Sequence, residues 1–280
     1  MDLRAKKSLG QNFLVDTGYQ QRIVEALDPD RSDTLVEIGP GPGALTRHLA
    51  GQGQRLLLIE LDDRFAETLA REYRDRADVT VLHQDVLTVD FAALGVPPAQ
   101  LKVVGNIPYN ITTPLIFHLL RPEQRAACIV LMIQREVADR ILASPGGRQY
   151  GALSVGVRVA ADVERLFNVP RGAFRPVPGV DSTVLRLRPF LPPPLAPAQE
   201  ADLRTLTRAA FGWRRKQLQR ILRDSPHYRL DAAGIAALEA AGFDLQARPE
   251  TLDPQRFVQL AAQLRARGLP HDTAPEPAWE

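Results

Sequence analysis

The sequence predicts an α/β fold, with a seven-stranded, doubly wound and mostly parallel sheet followed by a smaller all-helical domain. Seven short runs rich in β-branched residues alternate with helical stretches over residues 34–189. This alternation is typical of parallel sheets with helical crossovers. Residues 56–59 (LLLI) and 128–133 (CIVLMI) lack polar alternation, as expected for strands that are covered on both faces.

The elements follow in a regular order along the chain. A helix is predicted over residues 41–50, directly after the first strand, and an amphipathic helix follows the second strand as far as Tyr73. The seven predicted strands cover residues 34–40, 55–62, 79–86, 101–109, 127–134, 163–170 and 182–189. In doubly wound sheets, ligands bind at the carboxyl ends of the strands, so functional residues are expected just after these runs.

A proline-rich segment, PFLPPPLAPAQE (189–200), predicts a semi-rigid linker between two domains. The last ten residues are acidic and broken by prolines, which is typical of a disordered tail. We therefore expect four parts: a main domain (1–190), a linker (191–200), a helical domain (201–268) and an acidic tail (269–280).

Composition narrows the class of protein. The chain has 280 residues, 45% of them hydrophobic, and no window reaches the roughly 18 apolar residues of a membrane span. The basic N-terminus has no apolar segment after it, so no signal peptide is expected. The single cysteine, Cys128, lies in an apolar run and is expected in the core, in a reducing cytoplasm. The five histidines show no ligand spacing, so no metal site is predicted.

A glycine-rich loop, EIGPGPGALT (37–46), separates the first strand from its helix. Gly39, Gly41 and Gly43 allow a tight turn and a close approach of the backbone to a ligand. Glu60 ends the second strand about 20 residues later, where a carboxylate can bind ribose hydroxyls. The pattern also fits a dinucleotide fingerprint, so the loop alone predicts only a cofactor that contains adenosine.

Two features favour S-adenosylmethionine over a dinucleotide, and a third residue, Asp85, completes the set of candidate cofactor contacts. A pyrophosphate is bound by backbone N–H donors at the helix start, and Pro40 and Pro42 each remove one. Glu37 puts a carboxylate beside the loop, which suits a cofactor with a cationic methionine end. Asp85 follows the third strand, where it can accept a hydrogen bond from the adenine amino group.

The tetrapeptide Asn106-Ile107-Pro108-Tyr109 ends the fourth strand. The amino group of adenine is a poor nucleophile because its lone pair is delocalised into the ring. The side-chain oxygen of Asn106 and the carbonyl of Ile107 can each accept one of its N–H bonds and aim the lone pair outward. Pro108 fixes the backbone, and Tyr109 offers a flat face for a base. Such alignment can supply about 7–11 kcal/mol without a tuned general base.

Seven motifs together identify a resemblance to the ribosomal RNA adenine N6,N6-dimethyltransferase family, over residues 4–268. They are GQNFL (10–14), EIGPGPGALT (37–46), GNIPYNI (105–111), QREVADRI (134–141), YGALSV (150–155), FRPVPGVDSTVLRL (174–187) and WRRKQL (213–218). The resemblance implies a Rossmann-like class I methyltransferase that makes S-adenosylhomocysteine as its product. It implies methylation of two adjacent adenosines in the hairpin near the 3′ end of 16S rRNA, in the small subunit or its precursor.

The same resemblance implies roles for individual residues. Asn12 and Leu14 would fold over the cofactor, and Phe174 would stack on the target adenine opposite Tyr109. The residues implied to contact the cofactor are Asn12, Leu14, Gly39, Gly41, Glu60, Asp85 and Asn106.

Two basic segments predict contacts with the RNA backbone. Residues 204–223 contain no acidic residue, and in a helix over 213–223 three cations lie opposite Leu218, Ile221 and Leu222. The predicted RNA-binding residues are Arg214, Arg215, Lys216, Arg220 and Arg223, with a second patch of Arg4, Lys6 and Lys7. We expect both patches to make binding depend on salt.

Three other interpretations remain open from the residues. One is a 23S rRNA adenine methyltransferase of the macrolide-resistance type. Another is a nicotinamide-dependent dehydrogenase, which Pro40, Pro42 and Glu37 disfavour. The last is a non-catalytic ribosome-assembly factor. Nothing in the sequence demands a partner chain, so a cytoplasmic monomer is expected.

Overall fold

The computed structural model describes residues 5–6 and 9–270, which divide into two compact units. The sheet unit contains the described residues up to Ala138 together with Ala161–Leu191. The helical unit contains Asp139–Ala160 and the described residues from Pro192 onward. This division differs from the predicted boundary at residue 190, because Tyr150, Val155 and Val159 lie in the hydrophobic core of the helical unit.

The strands of the sheet unit form one large sheet and one short pair. They are β1 (Phe13–Leu14), β2 (Thr34–Ile38), β3 (Arg55–Glu60), β4 (Val79–His83), β5 (Leu101–Asn106), β6 (Cys128–Gln134), β7 (Ala161–Val169), β8 (Phe174–Arg175) and β9 (Ser182–Pro189). The large sheet has the order β4-β3-β2-β5-β6-β9-β7, and β1 pairs with β8. Strands β2 to β6 pair in parallel, whereas β9 is antiparallel to both β6 and β7.

Helices connect these strands and build the second unit. They are α1 (Thr17–Leu27), α2 (Thr46–Leu49), α3 (Asp63–Glu72), α4 (Thr112–Leu119), α5 (Arg135–Leu142), α6 (Ala152–Ala160), α7 (Pro197–Gly212), α8 (Leu218–Asp224), α9 (Ala232–Ala240) and α10 (Pro254–Arg265). Of the helices formed by residues 9–270, none combines the length and the apolar composition needed to cross a bilayer.

The predicted fold class and all seven predicted strands are confirmed, and the differences lie at the element ends. The helix predicted over 41–50 begins only at Thr46, because the preceding glycines have positive φ angles that no α-helix contains. The predicted linker ends early, since α7 starts at Pro197. The helix predicted over 213–223 starts only at Leu218. The β1–β8 pair was not predicted, since two residues give no periodicity.

The carboxyl ends of β2, β3, β4 and β5 meet at one edge of the sheet. Register pairs Ile38 with Ile59 on one side and with Gly105 on the other. A Cβ on Gly105 would stand 2.8 Å from the Ile38 carbonyl, so glycine is required for β5 to end so close to β2. The segments after these four strands therefore converge on one place.

Apolar residues of both units behave as their pattern predicts. Cys128 is buried in β6, where burial raises the pKa of its thiol. In the helical unit, Leu218, Ile221 and Leu222 of α8 are all fully buried. The sequence periodicity therefore identifies the packed face of α8 correctly.

Candidate functional site

A cleft opens at the sheet edge where β2 to β5 end. Four segments line it: residues 9–13, the glycine loop with the end of β3, residues 84–86 after β4, and residues 106–111 after β5. The position is where doubly wound folds bind their ligands.

The glycine loop turns through three left-handed residues. The φ angles of Gly39, Gly41 and Gly43 are 63°, 53° and 80°, a region that L side chains rarely adopt. The Gly39 N–H donates to the Ile59 carbonyl (2.9 Å), which holds the loop against β3. A Cβ on Gly41 would stand 3.4 Å from the Phe13 ring, so this turn also lets the N-terminal segment approach.

Glu60 stabilises the loop from the end of β3. Its carboxylate accepts the N–H groups of Gly41 and Asp62, each at 2.8 Å. The side chain is buried yet lines the cleft, and burial raises its pKa. Each carboxylate oxygen keeps a lone pair after these two bonds, so Glu60 can still accept from a ligand hydroxyl.

Glu37 does not play the part that its sequence position predicts. The side chain is buried outside the cleft lining, and its Oε2 accepts the Thr46 hydroxyl at 2.6 Å. Burial raises the pKa of Glu37 to about 8, so the carboxyl holds its proton at neutral pH. The predicted negative charge beside the cofactor is therefore corrected: Glu37 supports the loop from beneath as a neutral group.

Asp85 lies on the cleft wall after β4. Its Oδ1 accepts the Leu87 N–H at 2.9 Å, which fixes the carboxylate at the start of a short 3₁₀ turn. The side chain is half-buried and lines the cleft. An anchored carboxylate with a second oxygen in a cleft is suited to accept a hydrogen bond from an amino group.

The amide of Asn106 has a defined orientation. Its Nδ2 donates to the Asn12 carbonyl at 2.9 Å. A carbonyl only accepts hydrogen bonds, so the nitrogen must face Asn12 and the oxygen is left to point elsewhere. Among the described residues, none donates to Asn106 Oδ1, and Asn106 lines the cleft.

Ile107 and Pro108 hold the backbone that follows. The Ile107 N–H donates to the Met132 carbonyl of β6 at 3.1 Å. Its side chain is buried and fills the space that a Cβ on Gly105 would occupy, 2.7 Å away. Pro108 has φ −55° and starts the 3₁₀ turn that carries Tyr109. The side chain of Ile107 is thus an anchor, and the role of its carbonyl stays a prediction.

Tyr109 lines the cleft beside Asn106 and is half-buried. Its hydroxyl lies 3.0 Å from Ser182 Oγ on β9, and burial raises the pKa of the phenol. Sequence reasoning gave Ser182 no role, because it lies 73 residues away in the chain. The ring is therefore held at its backbone end and at its hydroxyl end.

Two residues implied by the resemblance lie in the core instead of the cleft. Phe174 is 1% exposed, and its strand neighbour Leu14 is 3% exposed. Neither lines the cleft, whereas Phe13 does, packed edge to face against Phe65 at 5.4 Å between ring centroids. Alternation along β1 turns Phe13 and Leu14 to opposite sides. The stacking of Phe174 on a base stays a prediction, and in the structure its ring is buried in the core.

The sequence matches a known protein family over most of its length. The model of the family described as ribosomal RNA adenine dimethylase matches residues 2–242. The chain belongs to this family. A Pseudomonas putida relative named ribosomal RNA small subunit methyltransferase A is 46% identical over 261 residues, 93% of this chain and 95% of that protein. A Pseudomonas aeruginosa protein of the same name is 43% identical over the same shares.

Solved structures give the same family relationship. A dimethyladenosine transferase from Plasmodium falciparum has a TM-score of 0.79 and 26% identity, covering 92% of this chain and 98% of that one. The 23S rRNA methyltransferase ErmE has a TM-score of 0.65 and 28% identity, covering 90% of this chain and 99% of that one. The predicted family and the methyltransferase fold are thus confirmed.

In this adenine dimethylase, the N-terminal segment at the cleft is tied to Asp62. Asp62 accepts from Gln11 Nε2 (3.0 Å), Lys6 Nζ (3.1 Å) and Arg64 NH2 (2.7 Å). Arg64 first, with Gln11 and Lys6, holds the pKa of this carboxyl well below its usual range. Lys6 also pairs with Asp63 at 3.1 Å, and its contact with RNA stays a prediction.

The other two residues of the N-terminal patch, Arg4 and Lys7, lie outside the described residues. No group of His, Cys, Asp and Glu side chains that could hold a metal ion occurs within residues 5–6 and 9–270.

Arg214 is engaged by its own unit. Its guanidinium donates to the carbonyls of Gly147, Arg148 and Tyr150, each at 2.8 Å, and its Nε lies 3.9 Å from a Glu250 oxygen. These donors hold the loop before α6. These bonds give Arg214 a structural role, and its contact with RNA stays a prediction.

The other four predicted RNA-binding cations of residues 213–223 divide into two pairs. Arg220 and Arg223 both contact the Asp224 carboxylate, at 3.4 Å and 2.7 Å. Arg215 and Lys216 lie in the exposed turn between α7 and α8, and their side chains form no ion pair with any described residue.

Proposed function

We propose that this protein transfers methyl groups from S-adenosylmethionine to N6 of two adjacent adenosines in the hairpin near the 3′ end of 16S rRNA. The product is N6,N6-dimethyladenosine, made during small-subunit assembly by a monomer in the cytoplasm. One observation carries the proposal. The Asn106 amide is turned so that its nitrogen binds the Asn12 carbonyl, and no residue within 5–6 and 9–270 donates to its oxygen, while Asn106 and Tyr109 both line the cleft.

The cleft residues fit the cofactor. Gly39 and Gly41 bring backbone to the cleft without side chains, Glu60 offers buried carboxylate oxygens, and Asp85 offers an anchored one. Glu60 would bind the ribose hydroxyls, and Asp85 the adenine amino group. Asn12 and Phe13 would cover the site from the N-terminal segment. When bound, S-adenosylmethionine supplies an electrophilic methyl group on a cationic sulfur.

The protein's contribution to the reaction is alignment of the target amine. Asn106 Oδ1 and the Ile107 carbonyl each accept one N–H of the adenine amino group. This pair of acceptors makes the nitrogen more tetrahedral and directs its lone pair away from the ring. Tyr109 supports the plane of the base. The displaced proton passes to solvent, so no side chain needs a tuned pKa, and positioning carries the rate enhancement.

The RNA backbone is bound elsewhere on the chain by exposed cations. Arg215 and Lys216 are exposed and unpaired among the described residues, which supports a role in phosphate contact. Turning an adenine out of its loop costs a few kcal/mol. Stacking on one aromatic ring returns about 1–3 kcal/mol, so Tyr109 can offset part of that cost.

The test is methyl transfer from labelled cofactor to immature small subunits, large subunits and naked 16S rRNA. We expect dimethyladenosine in small-subunit RNA and its loss in Asn106→Ala. No labelled product on any ribosomal substrate would count against the proposal. Labelling of 23S rRNA alone would favour the second candidate, the 23S activity named for ErmE. The two relatives at 43% and 46% identity are named for the small subunit, whereas ErmE, named for 23S rRNA, is 28% identical. This difference favours 16S rRNA as the substrate.

A further inference from the structure

Tyr109 is connected to a strand that lies outside the cleft lining. Its hydroxyl lies 3.0 Å from the Ser182 hydroxyl, and Ser182 is 1% exposed. No other side-chain hydrogen bond of Ser182 occurs among the described residues. The buried hydroxyl of Ser182 is therefore dedicated to this phenol.

Ser182 lies on a strand that is paired on both sides. It begins β9, which lies between β6 and β7, and it pairs with Gln134 on one side and Val169 on the other. A hydroxyl on a strand that is paired on both sides has a fixed position. The Tyr109 ring is thus joined to the rigid sheet at its far end, while Pro108 fixes its near end.

We propose that Ser182 is a positioning residue for methyl transfer, which sets the plane of the Tyr109 ring. This inference rests on the proposed function, in which the ring supports the target adenine. A ring held at both ends cannot swing about its side-chain torsions. The base on it is then presented to the acceptors of Asn106 and Ile107 at one angle.

The second of the two transfers should depend most on this support. After the first transfer, the amine keeps a single N–H, so only one of the two acceptors can hold it. The ring plane must then supply more of the alignment. Loosening Tyr109 should therefore raise the share of monomethyladenosine in the product.

The strand offers a matched control in the next residue. Thr183 is also fully buried, and its hydroxyl donates to Asn168 Oδ1 at 2.8 Å. Successive residues of a strand point to opposite faces, so Thr183 faces away from Ser182's partner. Thr183→Val removes one buried hydroxyl from the same strand without touching Tyr109.

The test is a double-mutant cycle on kcat/KM for small subunits, with Ser182→Ala, Tyr109→Phe and the double variant. Each single change should lower kcat/KM roughly 3- to 10-fold, as for one neutral hydrogen bond, mainly through kcat. The double variant should lose no more than either single one, because all three lack the same bond. Thr183→Val should keep the wild-type rate and product ratio.

The inference is overturned if the losses multiply in the double variant, or if Thr183→Val loses as much as Ser182→Ala. A readout that needs no activity is the ¹³Cζ resonance of Tyr109 in labelled protein, assigned with Tyr109→Phe. It should shift in Ser182→Ala and not in Thr183→Val, and an unshifted resonance in Ser182→Ala contradicts the bond itself. An inactive wild-type protein would refute the proposed function, whereas active protein with multiplying losses refutes only the role of Ser182.

Discussion

The end of β5 and the basic segment 213–223 use polar side chains in opposite ways. At the end of β5, the Asn106 side chain forms a hydrogen bond through one of its two polar atoms. Its nitrogen donates to the Asn12 carbonyl, and none of the described residues donates to its oxygen. In the basic segment, the Arg214 guanidinium donates to three backbone carbonyls, and Arg223 pairs with Asp224. Proximity in sequence to a functional motif therefore does not decide which polar atoms are available.

The difference has a structural cause. Asn106 has a short side chain on a strand whose end is fixed by Gly105 and Ile107, so its reach is limited to the cleft. The arginines have long side chains that can reach partners far along the chain. Arg214 binds Gly147, 67 residues away. Charge patterning cannot show such partners in advance.

The largest expected effect comes from removing the free oxygen at the end of β5. Asn106→Ala should lower the rate of transfer by about 100-fold or more, the size seen when a preorganised polar partner of the transition state is removed. Single-turnover transfer to small subunits measures it. Asn106→Asp keeps an accepting oxygen and should retain more of the rate than Asn106→Ala. An alanine variant above a tenth of the wild-type rate would contradict the assignment.

The next effect separates the two kinds of arginine in the basic segment. Arg214→Ala should lower the free energy of unfolding by about 2–4 kcal/mol, because three carbonyls lose a charged donor. Arg215→Ala should leave stability unchanged and reduce the salt dependence of RNA binding by about one phosphate contact. Urea unfolding and RNA titrations at several salt concentrations measure the pair. Equal free energies of unfolding for the two variants would show that Arg214 and Arg215 do not differ in structural role.

A third prediction concerns the buried carboxyl of Glu37. Its folded-state pKa of about 8 lies above the ordinary value of 4.5. The contribution of Glu37 to the free energy of unfolding is largest below pH 4.5. It falls as pH rises toward 8, because over this range only the unfolded state releases the proton. Glu37→Gln should therefore gain stability relative to wild type as pH rises, on the order of 3 kcal/mol by pH 7.

Thermal unfolding of both proteins from pH 5 to pH 8 measures this difference. The two curves should separate with rising pH and come together near pH 5. Parallel curves across the range would show that Glu37 is ionised in the folded protein.

The smallest effect concerns Lys6, a predicted RNA contact that the structure pairs with Asp62 and Asp63. Lys6→Ala should leave the salt dependence of RNA binding unchanged, because its charge is already balanced. Exposed ion pairs contribute little, so cofactor affinity should change by about threefold or less. If Lys6→Ala lowers the salt dependence of RNA binding as much as Arg215→Ala does, Lys6 contacts the RNA.

The parts of the molecule that sequence predicts are those governed by backbone rules. The glycine loop, the strand that ends at Asn106 and the alternation of strands and helices each follow from local residue types. The positive φ angles of Gly39, Gly41 and Gly43 are an example. These constraints act within a few residues, so a single sequence carries them.

The parts that sequence does not predict depend on burial and on distant partners. Phe174 reads as an aromatic in a functional motif, yet it is buried in the core. Glu37 reads as a charge, yet burial keeps it protonated at neutral pH. Ser182 contacts Tyr109, and Asp62 contacts Lys6 and Gln11, only because strands and loops far apart in sequence meet. No periodicity or spacing signal marks them.

The central claim is that Asn106 Oδ1 and the Ile107 carbonyl hold the amino group of the target adenine. The most direct measurement is an experimental structure of the protein with S-adenosylhomocysteine and the 16S rRNA hairpin. We expect adenine N6 within about 3.2 Å of both oxygens, with the base against Tyr109. An N6 beyond hydrogen-bonding distance of Asn106, or an Asn106 nitrogen facing it, would show that this amide does not hold the target amine.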